Sequence, residues 1–235
     1  MAATTDQFVT ERMRRFRLPP TPFRLPGVYR PQADTHLLAS VVAGTVTRST
    51  GRVLDICTGT GAVALTAALA GRGAVTAVDI SRRAVLSVRL NALRCGARVR
   101  THRMSFVDLV AWEPFDLVLA NPPYVPCDSA APPKGRDRCW DAGPDGRALL
   151  DPLCAAAPRL LAPGGTLLLV HSEVSGVDES MERLRSYGLR AAVVARCHTP
   201  FGPVMRARAE FLERTGRIAP GRRHEELVVI RADRV

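Results

Sequence analysis

The chain has 235 residues, 46% of them hydrophobic, enough for the full core of a single α/β domain, which argues against a disordered or disulfide-stapled architecture. It carries 33 basic against 22 acidic residues, a formal charge of +11 that attracts anionic partners, nucleic acid among them. No apolar run is long enough for a membrane span, and none of the six cysteines forms a Cys-x-x-Cys pair, so the expectation is a cytoplasmic protein with no membrane contact and no metal site.

Residues 1–30 hold six arginines against two acids and a proline-rich stretch, which predicts an extended basic arm ahead of one domain over 31–235. Asp34 and Thr35 are candidate caps for a helix over 36–46. Apolar runs then predict strands over 52–56, 74–78, 99–102 and 115–119, with helices over 61–69 and 82–93 between them. A loop over 121–145 contains six prolines, and loops of that length are usually functional. Beyond it come a helix over 147–161, a Pro-Gly-Gly turn at 163–165 and a strand over 166–170. A helix over 181–187, a strand over 189–196, a basic helix over 204–214 and a strand over 227–231 complete the chain. The alternation predicts a doubly wound, mostly parallel, seven-stranded sheet, with a basic helical insertion at about 203–223.

The segment Asp55-Ile-Cys-Thr-Gly-Thr-Gly61 joins the first strand to the following helix. Gly59 and Gly61 allow close backbone approach to a ligand, and Asp79 ends the second strand where an acid accepts hydrogen bonds from ribose hydroxyls. A Gly-x-Gly alone also fits a dinucleotide. Asp55 separates the two, because a carboxylate repels a pyrophosphate but suits the cationic amino group of S-adenosylmethionine (SAM).

Asn121-Pro-Pro-Tyr124 follows the fourth strand at the edge where open sheets bind ligands. A planar NH2 group is a poor nucleophile because its lone pair is delocalised. The Asn121 side-chain carbonyl and the Pro122 backbone carbonyl can each accept one of its hydrogens, orienting it and favouring the charge it develops. Pro123 stiffens the turn, and Tyr124 offers a ring face to a planar group.

By these residues the chain resembles the HemK-type methyltransferases, class I SAM enzymes that methylate a glutamine side-chain amide in translation release factors. The resemblance rests on Leu54–Gly61, Ala77–Ile80, Val107–Leu109 and Asp116–Tyr124. Val28–Leu38 and Trp140–Arg147 look like that family's short branch, which lacks a separate helical domain in front. The resemblance implies a SAM-dependent N-methyltransferase whose acceptor is a release factor or similar protein. It assigns Asp55, Gly59 and Gly61 to the methionine part of SAM and Asp79 to the ribose, and counts Cys57, Ile80 and Asn121 among the cofactor-binding residues. Asp108 and Leu109 fall to the adenine, and Thr35 with Asp34 to the floor of the site. Asn121, Pro123 and Tyr124 fall to the target amide, and Trp140 and Arg147 to a flap over the substrate. Trp140 reads equally well as a packing residue, and Asp34 with Thr35 as a plain helix cap.

Cys57 departs from the family, standing where a first glycine is usual, and so does the basic carboxyl-terminal segment. The competing readings are a nucleic-acid amino-methyltransferase, favoured by the +11 charge, a small-molecule N-methyltransferase, and a catalytically silent binding module. Short-branch relatives in eukaryotes use a small zinc-binding activator, so a partner subunit is a further possibility the resemblance raises. The arginines over 206–223 read either as a solvated helix face or as a surface that steers an anionic acceptor.

Overall fold

The computed structural model describes residues 23–71 and 73–235. Of the arm over 1–30, only the last eight residues fall within that range. These run along a helix, where Phe23 and Asn91 exchange hydrogen bonds of 2.7 and 2.9 Å.

Seven strands form one sheet in the order β3-β2-β1-β4-β5-β7-β6. They are β1 (Arg52–Ile56), β2 (Ala74–Asp79), β3 (Val99–Arg103), β4 (Phe115–Ala120), β5 (Leu161–Ser172), β6 (Leu189–Pro200) and β7 (His224–Arg234). The first five run parallel, and β7 is antiparallel to both β5 and β6. The central strands are buried on both faces, hence their unbroken apolar runs Val53-Leu54 and Leu117-Val118-Leu119. Helices α1 (Ala33–Thr45), α2 (Ala62–Ala70), α3 (Arg82–Cys95), α4 (Leu150–Leu160), α5 (Val177–Ser186) and α6 (Pro203–Arg214) complete the chain.

Local chemistry explains the boundaries. The Ser81 hydroxyl accepts from the Ala84 N–H to cap α3, and Gly96 ends that helix at φ 61°. The face between them buries Ala84, Val88 and Ala92. The Pro163-Gly-Gly165 turn lies within β5, where the β4 pairing jumps from Leu161 to Thr166. One expectation needs correcting. Asp34 and Thr35 do not cap α1, which starts at Ala33 behind Gln32; both lie inside its first turn, with the Asp34 carboxylate engaged elsewhere.

Candidate active site

The strand order reverses between β1 and β4, so the loops leaving their carboxyl ends diverge and open a crevice. A cleft of about 690 Å³ occupies it. Asp55 near the end of β1, Asp79 at the end of β2 and Asn121 just beyond β4 line this cleft together.

At the β1–β2 side the Asp55 carboxylate is buried, and one of its oxygens accepts from the Thr58 hydroxyl at 2.5 Å and the Ala64 N–H at 3.1 Å. Burial pushes its carboxyl up to about 7, against the opposing effect of those two donors. A carboxylate held this way at a cleft wall gains from a cationic ligand. Asp79 accepts from the Gly59 N–H at 3.0 Å and the Ser81 N–H at 2.9 Å, which fixes the loop against the strand end. Beside it Ile80 is 53% exposed, an apolar platform for a flat base. An ammonium, a diol and a flat base thus each find a matching group, so these residues fit SAM.

Cys57 adopts φ 55°, the left-handed region in which glycine is ordinarily found. Burial and the neighbouring Asp79 and Asp55 carboxylates raise its thiol well above the usual range, so it stays protonated. Gly61 has a different task from Gly59. At φ 82° it packs against α3, where a Cβ would meet Val88 at 2.9 Å, and it does not line the cleft.

At the β4 side the hub is Asp34, which is buried. Its Oδ2 accepts from the Tyr29 hydroxyl at 2.9 Å, the Asn121 side-chain amide at 3.1 Å and the Tyr124 hydroxyl at 3.2 Å. Its Oδ1 accepts from the Thr35 N–H and hydroxyl at 2.6 and 3.2 Å. The Asn121 NH2 also reaches the Thr35 hydroxyl oxygen at 3.3 Å. A carboxylate only accepts, so Asn121 must present its NH2 to Asp34, and its Oδ1 is left as a free acceptor. Burial and Asp34 both raise the Tyr29 and Tyr124 hydroxyls well above their usual range, which keeps them protonated donors.

The loop after Asn121 folds back on itself. The Val125 N–H donates to the Trp140 carbonyl at 2.8 Å, and the Ala142 N–H donates to the Val125 carbonyl at 3.0 Å. Gly146 lets the returning segment pass close behind the tetrapeptide, since a Cβ there would sit 2.3 Å from the Tyr124 carbonyl oxygen.

Of the residues singled out in the sequence, Thr35, Asp34, Asp55, Cys57, Gly59, Asp79, Ile80, Asn121, Pro122, Pro123, Tyr124 and Trp140 line the cleft. Asp108, Leu109 and Arg147 do not. Asp108 is exposed and Leu109 buried in the core, while the neighbouring Ser105 and Phe106 take the cleft wall. Arg147 is buried and fully engaged, donating to Asp151 and to the carbonyls of Ser175 and Gly176 at 2.6 and 2.8 Å. Its guanidinium therefore faces away from the cleft. It braces the turn whose Ser175 hydroxyl donates to the Tyr124 carbonyl at 2.6 Å. Sequence reasoning missed Tyr29, Met205 and Glu225, which also line the cleft. Tyr29 lay within the quoted Val28–Leu38 motif, whereas nothing near Glu225 in sequence marks it.

Each arginine of the basic carboxyl-terminal segment has an acceptor within the chain. Arg206 donates to the Phe201 carbonyl, Arg208 to Asp141, Arg214 to Asp128 and Arg217 to the Val174 carbonyl. Arg222 pairs with Glu173 and Arg223 with Glu213. The excess charge of this segment is thus tied into the fold. Among the described residues there is no helix long and apolar enough to cross a membrane and no metal-binding cluster.

The sheet and the two ends of its cleft define a class I SAM-dependent methyltransferase. The Methyltransferase small domain family matches residues 24–131. The release factor glutamine methyltransferase of Salmonella typhimurium is 30% identical over 195 residues, covering 76% of this chain and 70% of that protein. The provisionally named protein N5-glutamine methyltransferase of Methanocaldococcus jannaschii is 29% identical over 181 residues, covering 77% and 90%. The chain belongs to this protein glutamine methyltransferase family. It spans between 44% and 70% of the length of the bacterial relatives it matches. Among solved structures, the E. cuniculi Mtq2–Trm112 complex, responsible for methylation of the eRF1 termination factor, has a TM-score of 0.59 at 21% identity. It covers 89% of this chain and 99% of that one, a likeness of fold.

Proposed function

We propose that this chain methylates the side-chain amide nitrogen of a glutamine in a protein acceptor of the release-factor kind. The observation that carries the reading is the pinned Asn121. With its NH2 held by Asp34 and Thr35, its Oδ1 is a fixed acceptor at the cleft. Such an acceptor suits a planar NH2 group, which offers N–H donors and is not acidic before it is methylated.

Bound SAM supplies an electrophilic methyl group on a positively charged sulfur. Asp55 would pair with its amino group and Asp79 would accept from its ribose hydroxyls. Asn121 Oδ1 and the Pro122 carbonyl take the two amide hydrogens of the glutamine. They hold the nitrogen in line for attack and stabilise the positive charge it acquires. The methylated nitrogen is strongly acidic and releases its proton without a dedicated base. Asp34 is a positioning residue in this scheme, acting through Asn121 and Tyr124.

Transfer of labelled methyl groups from SAM into cell extract tests the acceptor class. Label should appear in a macromolecular fraction that protease destroys and nuclease does not. Label that survives protease and disappears with nuclease would contradict the proposal.

A further inference from the structure

Strands β6 and β7 pair up to Pro200 and His224, neighbours that a hairpin of two to five residues would join. The chain instead spends residues 201–223 between them, and connections of that length are usually functional. The excursion is built into the body, with Phe201, Met205, Leu212 and Ile218 buried. Arg208 in α6 grips both oxygens of Asp141 at 2.9 Å, one residue past Trp140 in the loop that follows Asn121–Tyr124. Gly202, Val204 and Met205 line the cleft.

Where the chain returns, Glu225 joins the same cleft wall. It is only 6% exposed, and its Oε2 has no hydrogen-bond partner among the described residues. The Ser172 side chain, the Arg222 cation and the Glu173 carboxylate lie nearby, and it is close enough to the Asp34 carboxylate and to the Tyr29 and Tyr124 hydroxyls to act on them. Glu225 thus shares the cleft with the Asn121 hub and acts on its Asp34, while Asp55 and Asp79 act on each other at the cofactor end. An unpaired buried carboxylate oxygen destabilises a free protein, and a ligand that supplies the missing donor is one reason to retain it. The carboxylate turns readily about its last torsion, so either oxygen can face the cleft.

We propose that the 201–223 excursion and Glu225 form the acceptor-side wall of the cleft, and that the Glu225 carboxylate accepts a hydrogen bond from an N–H of the acceptor peptide other than the amide being methylated. The inference rests on the peptide-glutamine reading and adds a specificity to it. With Asp34 and Glu225 both lining this cleft, an acceptor that brings a phosphate or carboxylate to this wall is repelled, whereas a peptide amide is held.

The test compares wild type, Glu225→Gln and Glu225→Ala, using a purified bacterial release factor as acceptor. Acceptor KM should rise about tenfold for Glu225→Ala and less for Glu225→Gln, whose amide oxygen still accepts. SAM affinity by calorimetry should not change, and the Tm of ligand-free Glu225→Gln should not fall. An unchanged acceptor KM in both variants overturns the inference, and more plainly so if Tm falls, because Glu225 would then be a packing group. A wild type that leaves the release factor unlabelled contradicts the glutamine reading instead. The same three proteins are then compared on whichever extract fraction wild type labels. Weaker labelling by the variants at limiting acceptor supports the Glu225 assignment, and equal labelling overturns it.

Discussion

The side-chain amide of Asn121 donates to the carboxylate of Asp34 across 3.1 Å, joining the first turn of α1 to the end of β4. This contact decides which way the Asn121 amide faces, and Tyr29 and Tyr124 share the same carboxylate oxygen. Replacing Asp34 with Ala frees Asn121 to rotate and leaves the two hydroxyls without their acceptor. Hydrogen bonds to a charged group are worth about 1.5–3 kcal/mol, so kcat should fall roughly ten- to a hundredfold. SAM affinity should be largely preserved, because the contact acts on the acceptor side. Steady-state kinetics alongside calorimetry separates the two, and a wild-type kcat would remove Asp34 from the account.

The buried carboxyl of Asp55 gives the cofactor end a pH dependence. Its value of about 7 in the folded protein lies above its ordinary 3.8. Between about pH 4 and pH 7 the folded chain therefore keeps a proton that the unfolded chain releases, and stability without ligand falls as pH rises through that window. Glu225, raised to about 7, and Asp79, raised by burial, act in the same sense. A cationic ligand needs Asp55 ionised, so SAM affinity should weaken as pH falls below 7, approaching tenfold per pH unit. Calorimetry at pH 6 and pH 8 checks this. Asp55→Asn should bind weakly at both values and lose most of the difference.

Much of this arrangement was legible in the sequence, because the parallel core announces itself. Strands buried on both faces leave unbroken apolar runs, and glycines with acids at strand ends mark the loops of an open sheet. The antiparallel β6–β7 ribbon was harder. Its outer ends, Cys197–Pro200 and His224–Glu226, are polar and proline-bearing, so periodicity stopped short of them. In sequence Asp34 reads both as part of the site floor and as a plain cap, because Asp and Thr before a helical run are often caps. Only the packing of α1 against the sheet shows that the carboxylate serves Asn121. Asp108 and Arg147 lie off the cleft for a related reason. A motif fixes the order of residues, but the short 3-10 helix over Phe106–Ala111 and the fold of the 121–147 loop decide which of them face the cleft.

The grip of Arg208 on Asp141 predicts a coupling measurable by mutation. Either single alanine variant leaves one charge partly buried and unpaired, and should lower Tm and raise acceptor KM by loosening α6 from the loop that carries Trp140. The double-mutant cycle should show a coupling of about 1–2 kcal/mol, and the exchanged pair Arg208→Asp with Asp141→Arg should recover part of it. Strictly additive effects would mean that the two elements are held together by their apolar contacts alone.

The central claim, transfer of a methyl group to a glutamine amide oriented by Asn121, is tested most directly by peptide mass spectrometry of a release factor incubated with SAM and the purified protein. With wild type, one glutamine should gain the mass of a single methylene, and fragmentation should place it on the side chain. Asn121→Ala should bind SAM as wild type does and leave that glutamine unmodified. Methylation at another residue type by wild type, or undiminished glutamine methylation by Asn121→Ala, would contradict the account.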